Sequence, residues 1–98
     1  MSEHALYGRW MTDPEDEVSL RESGQTSLVF EPDGKLTYIM HGANKDQIMN
    51  LIYRVEGQII VTNQPSAPRE ERTTFRITPQ GKLILEFGGV QSQYVRVP

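Results

Sequence analysis

The stretch TSLVFEPDGKLTYIM, residues 26–40, decides the fold of this chain. At its centre, Glu31-Pro32-Asp33-Gly34-Lys35 combines a proline that presets φ for a turn with a glycine that accepts a left-handed backbone. After the turn, Leu36, Tyr38 and Met40 fall on one face of an extended segment, since side chains alternate with period two along a strand. The stretch therefore predicts an antiparallel hairpin.

Similar turn signals recur along the chain. Thr78-Pro79-Gln80-Gly81-Lys82 repeats the same device, and Glu56-Gly57 and Gly88-Gly89 suit tight two-residue loops. We take the two Pro-x-Gly-Lys hairpins as convergence on one turn geometry rather than as an internal repeat. Four hairpin signals in a short chain predict a meander.

The segments between the turns alternate as strands do. Apolar residues recur at every second position in two further runs: Met49, Leu51, Tyr53 and Val55, then Leu83, Leu85 and Phe87. Strands are predicted near residues 6–12, 26–31, 35–41, 47–55, 58–63, 72–78, 82–88 and 91–97. About eight strands can close into a small barrel. The predicted fold is a single all-β domain over residues 1–98, an antiparallel up-and-down meander forming a closed or nearly closed barrel.

Residues 14–22 interrupt this pattern. The stretch 12–17 carries a capping residue type, Pro14 suits a first helical position, and the acids at 13–17 favour a helix N-terminus. One short helix or an irregular connection both fit this composition.

Charge and composition restrict the partners. The 98 residues carry a formal net charge of -3 and no cysteine, so there is no positive field for nucleic acid and no disulfide or thiolate chemistry. No leader-like or membrane-spanning apolar run is present, and we expect no membrane partner. The sequence predicts a cytoplasmic protein, although a signal peptide already removed would leave no trace.

No catalytic or cofactor signature stands out. His4 and His41 are the only histidines and are not at metal-ligand spacing. The acids between Asp13 and Glu17 lack the spacing of a calcium loop. No Ser/His/Asp set or phosphate-binding loop is recognisable, and the inward positions are nearly free of acids and bases. We expect no enzyme activity, no metal and no cofactor.

Near its start the chain contains Leu6-Tyr7-Gly8-Arg9-Trp10, which includes Gly-x-Trp, and near its end it contains Tyr94-Val95-Arg96-Val97. This pairing resembles the lipocalin pattern of the calycin superfamily. The order of the features is similar to that of small bacterial lipocalin-like domains of unknown function. The resemblance implies that Trp10 packs across one barrel end, with Arg96 from the last strand over the indole and Gly8 as part of the same structural signature. The chain is shorter than full lipocalins, and residues 11–25 leave little room for a helical lid.

Two functions follow from this architecture. Inward-facing residues with apolar or adaptable side chains would line a pocket for a small apolar or amphipathic molecule: Tyr38, Met40, Met49, Tyr53 and Phe87. The same residues would equally fill the core of so small a barrel. In that alternative the domain acts as a structural or interaction module through its outer surface.

The opposite parity of the strands predicts that outer surface. Isoleucines from three consecutive strands fall on it: Ile39, Ile48, Ile52 and Ile60. Neighbouring exposed aliphatic residues form a patch of the kind that marks an interface. A two-fold symmetric homodimer is the assembly we expect.

Overall fold

The computed structural model describes residues 3–98, with side chains from residue 5 onward. A 3-10 turn, Glu3–Leu6, precedes eight strands and one short helix. The strands are β1 Gly8–Thr12, β2 Thr26–Phe30, β3 Lys35–Met40, β4 Gln47–Glu56, β5 Ile59–Asn63, β6 Glu71–Ile77, β7 Leu83–Phe87 and β8 Val90–Val97. The helix, α1 Glu17–Ser23, lies between β1 and β2.

All eight strands pair antiparallel with their sequence neighbours, and β1 also pairs with β8. The sheet is therefore a closed up-and-down barrel without a free edge. This confirms the predicted all-β meander, and every predicted strand is present with ends shifted by no more than about two residues.

The hairpin turns adopt the predicted conformations. Gly34 has φ 88° and Gly81 has φ 83°, the left-handed region in which a glycine avoids the steric cost of a side chain. Each closes the same arrangement, in which the glycine N–H donates to the carbonyl three residues earlier. Gly88 and Gly89 both have positive φ and form the two-residue loop between β7 and β8.

The connection between β1 and β2 contains an irregular segment followed by a short helix, the two structures that the sequence allowed. Its helix begins later than the predicted residue 14, because Asp16 is the N-cap and accepts a hydrogen bond from the Ser19 N–H. Pro14 lies in the turn before the helix. The Gln93 N–H donates to the other oxygen of Asp16 at 2.9 Å, which fixes the start of α1 against β8.

The outer surface differs from the prediction at Ile60. Val55 and Ile60 are cross-strand partners, and partners share a face, so Ile60 faces inward with Val55 and is buried. Ile39 and Ile48 pair with each other on the outer face, where Ile48 is 59 % exposed. Ile52 is also outside and 49 % exposed, but its strand partners are polar, Lys35 and Asn63.

Another part of the outer surface carries a network of ion pairs. Arg54 and Arg72 both contact Glu56, at 2.6 and 3.3 Å. Val61 lies in register between these two arginines and is buried although it faces outward. The aliphatic stems of long charged side chains cover apolar surface in this way.

Within residues 3–98, the structure has no helix long and apolar enough to cross a membrane.

Candidate functional site

One end of the barrel, which we call the plugged end, is closed by Leu6, Trp10 and Arg96. Leu6 and Trp10 are fully buried, and the indole N–H of Trp10 donates to the Leu6 carbonyl at 3.0 Å. The Arg96 guanidinium lies 4.2 Å from the centre of the Trp10 ring. This is cation–π distance, so the predicted packing of Trp10 and Arg96 is confirmed.

Arg96 also holds the segment before β1. Its two terminal nitrogens donate to the Tyr7 and Ala5 carbonyls at 2.6 and 2.8 Å. Gly8 has φ 118°, and a Cβ at this position would lie 2.8 Å from Nη1 of Arg96. Gly8 therefore provides both the backbone conformation and the space that Arg96 requires.

Beyond this plug the barrel contains a cavity of about 460 Å³, a volume typical of small-molecule sites. Every strand except β1 contributes to its lining. The deepest part consists of buried apolar side chains: Leu28, Phe30, Leu36 and Ile60. The cavity is the space that these side chains leave unfilled.

The cavity opens at the other end of the barrel, which we call the open end. This end carries the β1–β2 connection with α1, residues 41–46, residues 64–70 and the Gly88-Gly89 turn. Phe87 and Val90 are cross-strand partners that line the cavity here, and they are 49 % and 67 % exposed. Large apolar side chains so exposed beside an apolar cavity are typical of a binding-site entrance.

The lining includes a few polar groups. Thr62 and Glu71 are cross-strand partners where β5 ends and β6 begins, and Thr73 follows on the same face. Ser92 and Tyr94 lie on β8. Burial raises the pKa of the Tyr94 phenol well above its ordinary value, so this group remains a neutral hydrogen-bonding hydroxyl.

The predicted ligand-binding residues separate into two groups. Tyr38, Met49 and Phe87 line the cavity as expected. Tyr53 does not, because its ring packs edge-on against Phe30 at 5.2 Å, and its hydroxyl donates to the Glu31 carbonyl at 2.8 Å. Tyr53 is therefore part of the core.

Met40 is likewise not part of the lining. It is the last residue of β3, at the open end, and pairs with Thr26. Thr26 and Thr12 are buried there and joined by two hydrogen bonds, one of them from the Thr26 N–H to the Thr12 hydroxyl at 2.9 Å. Met40 is partly buried at this edge of the sheet, outside the cavity lining.

Several lining residues were missed at the sequence level. Ile60 was placed on the outer face, whereas it forms part of the cavity floor. Glu71 was not recognised as a lining residue either: it begins β6 with its side chain at the cavity. The cross-strand pairing of Glu71 with Thr62 could have indicated this position. A Thr–Glu pair is equally typical of a solvent-facing surface, however.

The structure also brings together a serine, a histidine and an aspartate, contrary to the sequence-based expectation. The Ser27 hydroxyl lies 2.8 Å from Nε2 of His41, and Nδ1 of His41 lies 3.4 Å from Asp46. Ser27 is buried between its partners Met11 and Ile39 on the neighbouring strands, and it does not line the cavity. These contacts connect residues 41–46 to β2.

Between residues 3 and 98, no group of three or more histidine, aspartate or glutamate side chains is placed to hold a metal ion. The side chain of His4 lies outside the described residues.

The comparisons with known proteins give no relative for this chain: no family model, no curated protein and no solved structure matches it.

Proposed function

We propose that this domain is a non-catalytic binding module that takes a small apolar or amphipathic molecule into the barrel, in the manner of the lipocalins that its Gly-x-Trp and final arginine resemble. The observation that carries the proposal is the cavity of about 460 Å³ with an apolar floor and an exposed apolar entrance. We propose the cytoplasm as its compartment. The chain has no cysteine, so its fold does not depend on an oxidising compartment.

The cavity favours this function over a barrel filled by its own side chains. A protein interior is normally packed to crystal-like density with few voids larger than a water molecule. An apolar cavity of this size forfeits the contacts that its lining would otherwise make, which lowers the stability of the fold. A guest molecule restores those contacts, and removal of its apolar surface from water drives binding.

A matched pair of substitutions on β6 tests the proposal. Thr73 lines the cavity, whereas its neighbour Thr74 is exposed on the outer face. We expect the wild type to bind one equivalent of an apolar fluorescent dye such as N-phenyl-1-naphthylamine. Thr73→Trp fills the cavity and should weaken dye binding at least tenfold, while Thr74→Trp should leave it unchanged.

Thermal unfolding of both variants shows whether each remains folded. Equal dye binding by the wild type and folded Thr73→Trp would place the dye elsewhere, and the proposal would fail. Absence of saturable dye uptake by the wild type would have the same consequence.

Chemical labelling tests the non-catalytic part of the proposal. A serine-reactive fluorophosphonate should not modify Ser27, because this residue is buried and its hydroxyl contacts His41. Intact-mass analysis after incubation reports the modification directly. A stoichiometric mass increase that disappears in His41→Asn would show an activated serine and would make the domain an enzyme candidate.

The outer surface supports a second proposal, that two copies associate through β4. Ile48 and Ile52 are both more than 45 % exposed on this strand, and Ile39 adjoins Ile48. Association and ligand binding use opposite faces of the sheet, so the two proposals are compatible.

A further inference from the structure

The charges around the cavity indicate which class of amphipathic molecule fits it. The residues that line the cavity include one charged side chain, the carboxylate of Glu71. Within the described part of the chain, the lining includes no lysine, arginine or histidine. A guest whose own head group is anionic would therefore find no cation inside the site.

The position of Glu71 defines the orientation of a guest. Glu71 begins β6 at the open end, beside the Thr62 side chain, whereas the floor at Leu36 and Phe30 is apolar. An apolar tail is favoured at the floor because burial of polar groups there would leave them without partners. The polar head then lies near Glu71.

Arg69 is the nearby cation that must be considered. Its Nε lies 3.2 Å from Oε1 of Glu71, but its side chain is 81 % exposed and is not part of the lining. Ion pairs this exposed contribute little to stability. An ammonium group on a guest can therefore replace Arg69 at the Glu71 carboxylate.

We propose that the cavity prefers amphiphiles with a cationic or hydroxyl head group, such as long-chain amines and alcohols, and discriminates against carboxylates such as fatty acids. This inference rests on the proposed function and specifies its ligand. Glu71 would accept charge-assisted hydrogen bonds from an ammonium group and a neutral one from a hydroxyl. A carboxylate would be desolvated beside a group of its own sign.

Three probes with the same tail and different heads test this preference: decylamine, decanol and decanoate. Each probe is titrated against the dye-bound wild type, and displacement of the dye is measured. The titrations are made at neutral pH, at fixed ionic strength and at probe concentrations below micelle formation. We expect decylamine and decanol to displace the dye and decanoate to be at least about tenfold weaker than decylamine, the difference that one charged hydrogen bond produces.

Substitutions then assign the effect to Glu71. Glu71→Gln should bring decylamine and decanoate to within about threefold of each other while decanol is unaffected. Glu86→Gln is the matched control, because it removes the same charge from an exposed residue outside the lining. Arg69→Gln should strengthen decylamine binding by removing the competing cation.

The outcomes separate this inference from the proposed function. Decanoate binding as tightly as decylamine, or a preference that survives Glu71→Gln, overturns the inference while ligand binding stands. Decanoate binding that is lost in Arg69→Gln would identify Arg69 as the partner of an anionic head and would also overturn it. If the dye does not bind the wild type, the proposed function fails and this inference fails with it.

Discussion

Gly8, Trp10 and Arg96 act as one structural unit at the plugged end. Trp10 and Arg96 are cross-strand partners on the first and last strands, so their contact forms part of the seam that closes the barrel. Arg96 adds hydrogen bonds to the segment before β1, and Gly8 leaves room for its guanidinium. Replacement of the buried indole by alanine should cost about 3–5 kcal/mol through the cavity it creates.

Replacement of Gly8 tests this unit more selectively. Gly8→Ala should destabilise the fold by about 1–3 kcal/mol, because an L-residue is strained at φ 118° and the new Cβ meets Nη1 of Arg96. Gly81→Ala is the control: its φ is also positive, but nothing lies within 4 Å of the added Cβ. It should cost about 1 kcal/mol.

Urea unfolding gives both free energies, and Trp10 fluorescence reports the packing of the indole. The fluorescence of the folded state should change in Gly8→Ala and not in Gly81→Ala. Equal costs for the two variants with unchanged fluorescence would show that Gly8 supplies backbone freedom alone.

Asp13 is a buried carboxylate in the connection after β1. Lys82 contacts it at 2.8 Å, and it also accepts hydrogen bonds from the Glu15 N–H and the Gln93 side chain. Chiefly because of the Lys82 contact, and against the opposing effect of burial, the pKa of Asp13 falls from 3.8 to about 2. Asp13 therefore joins three distant parts of the chain: the start of the connection, β8 and the turn before β7.

This pKa predicts a pH dependence of stability. A carboxyl group whose folded pKa is lowered stabilises the fold above its unfolded pKa near 3.8, and this contribution disappears as the pH falls towards 2. At neutral pH the contribution should be about 1–2 kcal/mol, since Lys82 is partly solvated and screening weakens the pair.

The free energy of unfolding of the wild type and Asp13→Asn should be measured by urea titration between pH 7 and pH 2.5. The wild type should be more stable at pH 7, and the difference between the two curves should shrink as the pH falls from about 4 to 2.5. Parallel curves over the whole range would exclude Asp13 as the titrating group.

At the scale of strands and loops, local turn chemistry was predictable and face assignment was less so. Pro32 and Gly34 determine their hairpin within five residues, which is why that turn could be located from the sequence. The face of Ile60 depends instead on its register with Val55 across the β4–β5 turn, and an error of one residue there reverses the face. The contacts of Ser27 with His41 and Asp46 depend on the path of the 41–46 loop, which no local pattern specifies.

Self-association through the outer face of β4 remains a prediction, and Ile52→Glu tests it. If two copies meet at Ile48 and Ile52, a buried charge without a partner should convert the dimer to a monomer. Val18→Glu is the control, because Val18 is an equally exposed aliphatic residue on α1. Sedimentation velocity at micromolar concentration gives the assembly state. A wild type that sediments as a monomer would contradict the prediction.

For the whole molecule, the barrel could be predicted from the sequence and its cavity could not. Regular turns and period-two alternation specify an up-and-down meander, and eight strands suffice for closure. Whether the interior is filled depends on the summed volumes and rotamers of the inward side chains. The position of Tyr53 on its strand, for example, suggests that its side chain occupies the cavity. Instead the side chain packs in the core and leaves that space unfilled. Pattern alone therefore left both a filled core and a ligand site open.

The central claim is that an amphipathic molecule binds inside the barrel, and methyl NMR tests it most directly. Decanol is titrated into protein labelled at the leucine and isoleucine methyl groups, and the shifts are followed at the cavity floor and on the outer face. We predict saturable shifts at Leu28, Leu36 and Ile60, with Ile48 and Ile52 unaffected. Shifts confined to Ile48 and Ile52, or no saturable shift at the three floor residues, would contradict the account.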